Sequence, residues 1–118
     1  MKYSSLPGFD IDETNKIIES GTIDELIILP LSIGANCSNW KVAQDLCLKL
    51  VDHQDDRVSS NALLGLAYVA RNHRKLEKYL VKAAMINSKR RHTKYLWRIE
   101  DAIEDINQFM NWKIGVRD

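Results

Sequence analysis

Apolar residues recur at intervals of three and four along most of this chain, the spacing that places them on one face of a helix. The densest run is residues 55–73, where two aspartates lead into Val58, Ala62, Leu66 and Val69 on one face. Leu63, Leu64, Ala67 and Ala70 widen that face beyond the usual stripe of ~100°. A helix apolar on nearly every side needs neighbours on more than one side, so the run predicts a central helix. Gly65 sits in its middle, at a cost of about 1 kcal/mol relative to alanine. The close approach of another helix is the expected reason for it.

The remaining pattern predicts helices on both sides of this one. A first helix is expected over 12–20, capped by Asp10 or Asp12 and stopped by Gly21. Thr22-Ile23-Asp24-Glu25 has the form of a capping box and starts a second helix through Leu26, Ile27 and Leu29. Pro30 should kink or stop it, because proline has no amide hydrogen, and Gly34-Ala35-Asn36 reads as a turn. A third helix runs from Ser38 or Asn39 to His53 and buries Trp40, Ala43, Leu46 or Cys47, Leu50 and Val51. After the central helix, another over 76–87 uses Leu76, Tyr79, Leu80, Ala83, Ala84 and Ile86, and 88–92 reads as a polar loop. The last, at 93–111, buries Leu96, Ile99, Ile103, Ile106 and Met110. Residues 1–9 read as an irregular lead-in and 113–118 as a short tail.

No segment alternates with a period of two, so the fold class is all-α. Short connections imply antiparallel neighbours, which can form a bundle or helix pairs stacked into a solenoid. An acidic turn, Val58, Ala62 four residues on, then Leu66 and Val69 in register resemble the second helix of a HEAT-type repeat. Such repeats usually carry Arg directly after the Val; here Ser59 stands there. The expectation is five to six antiparallel helices stacked as a short HEAT-like α-solenoid, with 1–118 as a single helical domain.

At 118 residues the chain fits one domain. No apolar run approaches the ~18 residues needed to span a bilayer, and Met1 to Gly8 has no apolar core of a signal peptide. Cys37 and Cys47 lack metal-site spacing and suit reduced, structural thiols in a cytoplasmic protein. Net charge is +1, yet residues 1–56 carry ten acids and four bases while 57–118 carry six acids and thirteen bases. Such asymmetry marks a charged partner surface, or charges of unlike sign that meet within one fold.

Candidate chemistry is sparse. Neither cysteine lies beside a base, the three histidines are dispersed, and no glycine loop suits a phosphate. No catalytic residue, metal site or cofactor is expected. Glu100, Asp101, Glu104 and Asp105 pair carboxylates on two adjacent strips of the last helix. They could meet a basic partner, bind a cation or serve acid–base chemistry, or simply form a solvated face. A basic region spans Arg71, Arg74, Lys75, Lys78, Lys82, Lys89, Arg90, Arg91, Lys94 and Arg98, interleaved with Tyr79, Tyr95 and Trp97. Cations among aromatics suit nucleic acid, although the overall charge balance is far from that of a dedicated binder.

Leu29-Pro30-Leu31, the run from Trp40 to Leu48, the run from Asn61 to Arg71, and 101–106 together resemble small bacterial HEAT-like proteins. Many of these are immunity proteins of polymorphic-toxin or contact-dependent growth-inhibition systems. The resemblance implies a non-enzymatic inhibitor that binds a sibling toxin domain, commonly a nuclease, and occludes its active site. Because nucleases carry basic clefts, an acidic inhibitor face is the natural complement. Two sets qualify: Asp10, Asp12, Glu13, Asp24 and Glu25, partly explained as helix-start residues, and Glu100, Asp101, Glu104 and Asp105. The basic region could instead meet an acidic toxin surface. A helical-repeat adaptor and a nucleic-acid-binding module using 71–98 are the alternatives. No membrane partner is expected.

Overall fold

Asp55 begins the central helix by accepting the Arg57 amide at 2.8 Å, so that the run after it enters the fold already capped. The structure, a computed structural model, describes residues 9–115. Among them are six α-helices and one 3-10 turn: α1 (Ile11–Ser20), α2 (Ile23–Asn36), α3 (Trp40–Val51), α4 (Asp56–His73), α5 (Lys78–Arg91) and α6 (Leu96–Met110), the turn being Thr93–Tyr95. No strand occurs among the described residues. The lead-in expected at 1–9 lies outside the described residues except for Phe9, as do 116–118 of the tail.

The caps act where the sequence places them. Asp10 accepts the Glu13 amide at 3.0 Å, and the Gly21 amide closes α1 on the Ile17 carbonyl. Thr22 and Glu25 make both bonds of the capping box, at 3.2 and 2.9 Å. The Asn39 side chain caps α3 on the amides of Lys41 and Val42.

The helices form three successive pairs. α1 packs on α2, α3 on α4 and α5 on α6, and the second members α2, α4 and α6 lie side by side with α4 in the middle. That is the arrangement expected of a short HEAT-like stack, 44 × 27 × 24 Å overall. The central position of α4 follows from its composition: Val58, Ala62, Leu63, Leu66, Val69 and Ala70 are fully buried. Ser59, at the position where HEAT-type repeats carry Arg, is also fully buried. Its hydroxyl donates to the Val51 carbonyl at 2.7 Å and pairs with the Ser88 hydroxyl at 2.9 Å. An arginine there would bury an uncompensated charge.

Two expectations about helix ends are corrected. Pro30 does not stop α2, and Gly34-Ala35-Asn36 is its last turn rather than a loop. A mid-helix proline costs about 3 kcal/mol, but Leu26, Leu29 and Ile33 bury their side chains along this helix, each contributing about 1.5–3 kcal/mol. Gly34 lies against α4: a Cβ on it would sit 2.4 Å from the Gly65 carbonyl oxygen. A Cβ on Gly65 would meet the Pro30 carbonyl oxygen at 2.6 Å. Gly65 therefore does what its mid-helix position implies, and Gly34 matches it across the crossing.

The second correction concerns α5. It starts at Lys78, and residues 88–91, expected as loop, continue it. Its buried face is Val81, Met85 and Ser88, at spacings of four and three, whereas Tyr79, Leu80 and Ile86 are exposed. Leu76 is buried but precedes the helix, in a connection held by buried Gln44. The Gln44 side chain accepts the Glu77 amide at 2.5 Å and donates to the Glu77 carboxylate at 2.7 Å. With Glu77 held there as the N-cap residue, α5 starts at Lys78. Beyond α6, Asn107 holds both the amide and the carbonyl of Ile114, at 3.1 and 2.8 Å, so part of the expected tail is packed down.

Candidate partner-binding cleft

The side-by-side placement of α2, α4 and α6 leaves a cleft of about 680 Å³ running over α4. From α2 come Ile27 and Leu31, and from α4 come Arg57, Ser60, Asn61 and Leu64. The third side, on α6, is Trp97, Arg98, Asp101, Ala102 and Asp105. Residues 97, 101 and 105 follow one another at a spacing of four, so a single α6 strip presents one aromatic ring and two carboxylates.

This placement divides the last-helix acids. Asp101 and Asp105 face the cleft, and neither has an ion-pair partner among the described residues. Glu100 and Glu104 lie on the adjacent strip beside Lys89, Asn107 and Ile114, where Glu100 pairs with Lys89 at 3.8 Å. The N-terminal acids do not join them. Asp10 is the cap of α1, Asp12 and Glu13 occupy its first turn, and Glu25 is held in the capping box. Asp24 is closer to the cleft: the Arg57 pKa is raised chiefly by its hydrogen bond and charge pairing with Asp55, and the Asp24 charge adds a small part.

Trp97 is 61% exposed, and its indole is the largest apolar group on the cleft's rim. The Arg98 guanidinium lies over its ring at 5.5 Å and over Tyr95 at 5.4 Å. Arg57 grips Asp55 through Nε and Nη2 at 3.2 and 3.0 Å. Hydrogen bonding to that guanidinium holds the Asp55 carboxyl below its ordinary range. Asn61 is 8% exposed and its Nδ2 donates to the Ile27 carbonyl at 2.7 Å.

The contributions of Asn61, Leu64 and the α2 residues could not be read from spacing alone, because they depend on which helices become neighbours. Trp97 did carry a signal. It falls off the stripe of Ile99, Ile103 and Ile106, so an aromatic was available outside the core.

The basic region is dispersed over several parts of the molecule. Arg71 lies over Tyr68 and Arg74 over Phe109, while Lys78 lies over Trp112 and Lys94 over Tyr95. Arg91 donates to the Asp52 carbonyl at 3.2 Å. Tyr79 stands apart from these pairs, 82% exposed on α5.

Both cysteines and His92 are buried. Cys47 is fully buried with its thiol pKa pushed up by burial, and Cys37 donates to the Asn39 carbonyl at 3.4 Å. Buried His92 pairs through Nδ1 with Asp56 at 2.5 Å, and its Nε2 has no hydrogen-bond partner among the described residues. Those residues contain no group of three His, Cys, Asp or Glu side chains able to hold a metal ion. No helix among them is long and apolar enough to cross a membrane.

No protein-family model matches the sequence, and no curated protein is similar to it by sequence. Structural similarity is extensive. The fold is similar to that of a chain in the CDI complex from Cupriavidus taiwanensis. The match has a TM-score of 0.73 and covers 92% of this chain and 97% of that one, at 18% identity. At that identity the likeness speaks for a shared helical architecture across nearly the whole of both chains.

Proposed function

We propose that this chain is an immunity protein: it binds a cognate toxin domain of a contact-dependent growth-inhibition system through the α2–α4–α6 cleft and blocks that domain's active site. The observation that carries the reading is the cleft itself, on a fold similar to a chain of a CDI complex. A helical stack offers a large surface at little ordering cost, which favours tight binding. Exposed tryptophan is enriched among residues that dominate interface energetics. Two carboxylates without ion-pair partners supply charge that steers a basic surface and selects against acidic ones.

A nuclease is the proposed toxin class, since its substrate cleft must be basic to hold nucleic acid. The role is binding rather than catalysis, acted out in the cytoplasm by one helical unit. Asp101 and Asp105, with Trp97, are assigned to the interface. Asp24 is assigned to its margin, and the remaining N-terminal acids, Glu100 and Glu104 to structural or solvated positions.

Co-expression with a toxin domain encoded by an adjacent gene tests the reading, and absence of any such gene counts against it. Protection of the cells and isolation of a stable one-to-one complex are expected. Cell death despite expression, with no complex recovered, contradicts it. The nucleic-acid alternative is weakened by the dispersal of the basic side chains; it requires binding to duplex or single-stranded oligonucleotides at low salt that falls steeply as salt rises.

A further inference from the structure

Two carboxylates on the α6 wall of the cleft have no partner of their own. Asp101 and Asp105 have neither an ion pair nor a hydrogen bond among the described residues, although both border the same space. Asn61 is 92% buried by its 8% exposure, and its amide is oriented because Nδ2 is fixed on the Ile27 carbonyl. Its Oδ1 has no hydrogen bond among the described residues and belongs to a side chain that lines the cleft. Two cations line the same cleft: Arg57, whose charge is paired with Asp55, and Arg98, which lies over the rings of Tyr95 and Trp97 and leaves the two carboxylates in excess. Trp97 nevertheless keeps most of its surface open.

Two carboxylates and an exposed aromatic surface on one strip of α6 match one side chain above others. A guanidinium is planar, carries five donors and no acceptor, binds carboxylates in pairs of bonds, and stacks on aromatic rings. A lysine ammonium is compact and strongly hydrated and gains less from the ring. We propose that the cleft accepts an arginine side chain of the bound toxin domain, with Asp101 and Asp105 receiving its N–H groups and Trp97 covering its plane. This rests on the partner-binding reading and names the chemistry recognised at that site. Because the carboxylates are exposed in the free protein, binding removes them from water only when the guanidinium replaces the lost hydrogen bonds.

The test is calorimetric binding to the purified, active-site-inactivated toxin domain identified by the co-expression assay. The double variant Asp101→Asn, Asp105→Asn keeps the shape of the cleft and removes its charge. It should bind about 100-fold more weakly, whereas Glu100→Gln with Glu104→Gln should stay within about twofold. Replacing each toxin arginine in turn by lysine should reveal one whose loss weakens binding to the unaltered protein and has little further effect on the double variant. Unchanged affinity of the double variant, or no toxin arginine coupled to it, overturns the arginine assignment. If Trp97→Ala weakens the complex while the carboxylate variant does not, docking at the cleft survives and the arginine assignment falls. No binding by the unaltered protein removes both.

Discussion

The two flanks of α4 solve the same packing problem in opposite ways. Toward α2, Gly34 and Gly65 let the backbones meet, and a single added carbon would strike a carbonyl oxygen. On the flank that opens toward α6, Leu64, Trp97 and Asp101 border a cleft that the outer part of α2 also lines, with Asn61 bonded across to the Ile27 carbonyl. Small residues leave a seam with no room for a ligand, while larger and polar ones leave surface that another molecule can use. Stability should therefore be most sensitive on the first flank and partner choice on the second.

Gly34→Ala challenges the closed flank most severely. The new Cβ would meet the Gly65 carbonyl, and separating the backbones should cost about 3 kcal/mol. Thermal unfolding should then begin about 10 °C lower; an unchanged melting temperature would mean the crossing is looser than described. Next comes Ser59→Ala, which leaves the buried Ser88 hydroxyl without its partner. A loss of about 1–2 kcal/mol is expected in urea unfolding, with part of it recovered when Ser88→Ala is added. Full additivity of the two changes would deny the hydroxyl pair.

A smaller effect should come from acid. Asp55 is held below its ordinary range by Arg57, and Glu77 by Lys41 and then Gln44. A carboxyl with a depressed folded pKa adds stability that is complete above the unfolded value, about 4. That contribution is lost as pH falls through the folded value. Chemical denaturation from pH 6 down to pH 2 should show the loss beginning near pH 4. Asp55→Asn, which can still cap α4, should reduce the slope there; an identical pH profile would remove Asp55 from the account.

Much of this architecture was legible because its determinants are local. Asp10, the Thr22–Glu25 box and Asn39 cap helices with bonds to neighbours three residues away or fewer, and Val58 to Ala70 show their burial in their spacing. The errors occur where tertiary contacts override local preference. Pro30 and Gly34 look like breakers in isolation, yet the close approach to Gly65 makes them part of a packed helix. Tyr79, Leu80 and Ile86 have core-like composition, but Val81 and Met85 take the face of α5 that is buried, and Gln44 holds Glu77 at the start of the helix. At the cleft, Asp101 and Asp105 were visible as acids, whereas their separation from Glu100 and Glu104 required the neighbouring helices.

Two exposed aromatics give the most direct test of where the partner binds. Trp97 borders the cleft and Tyr79 stands on α5, and both are open enough that alanine should leave the fold intact. The dissociation constant of the toxin domain that the proposed function calls for, sought among the products of adjacent genes, should be measured against both variants by titration calorimetry. Trp97→Ala should weaken binding by about 30-fold or more, the scale of an interface anchor, while Tyr79→Ala should stay within about twofold. Loss of binding by Tyr79→Ala with wild-type affinity for Trp97→Ala would contradict the assignment of the cleft.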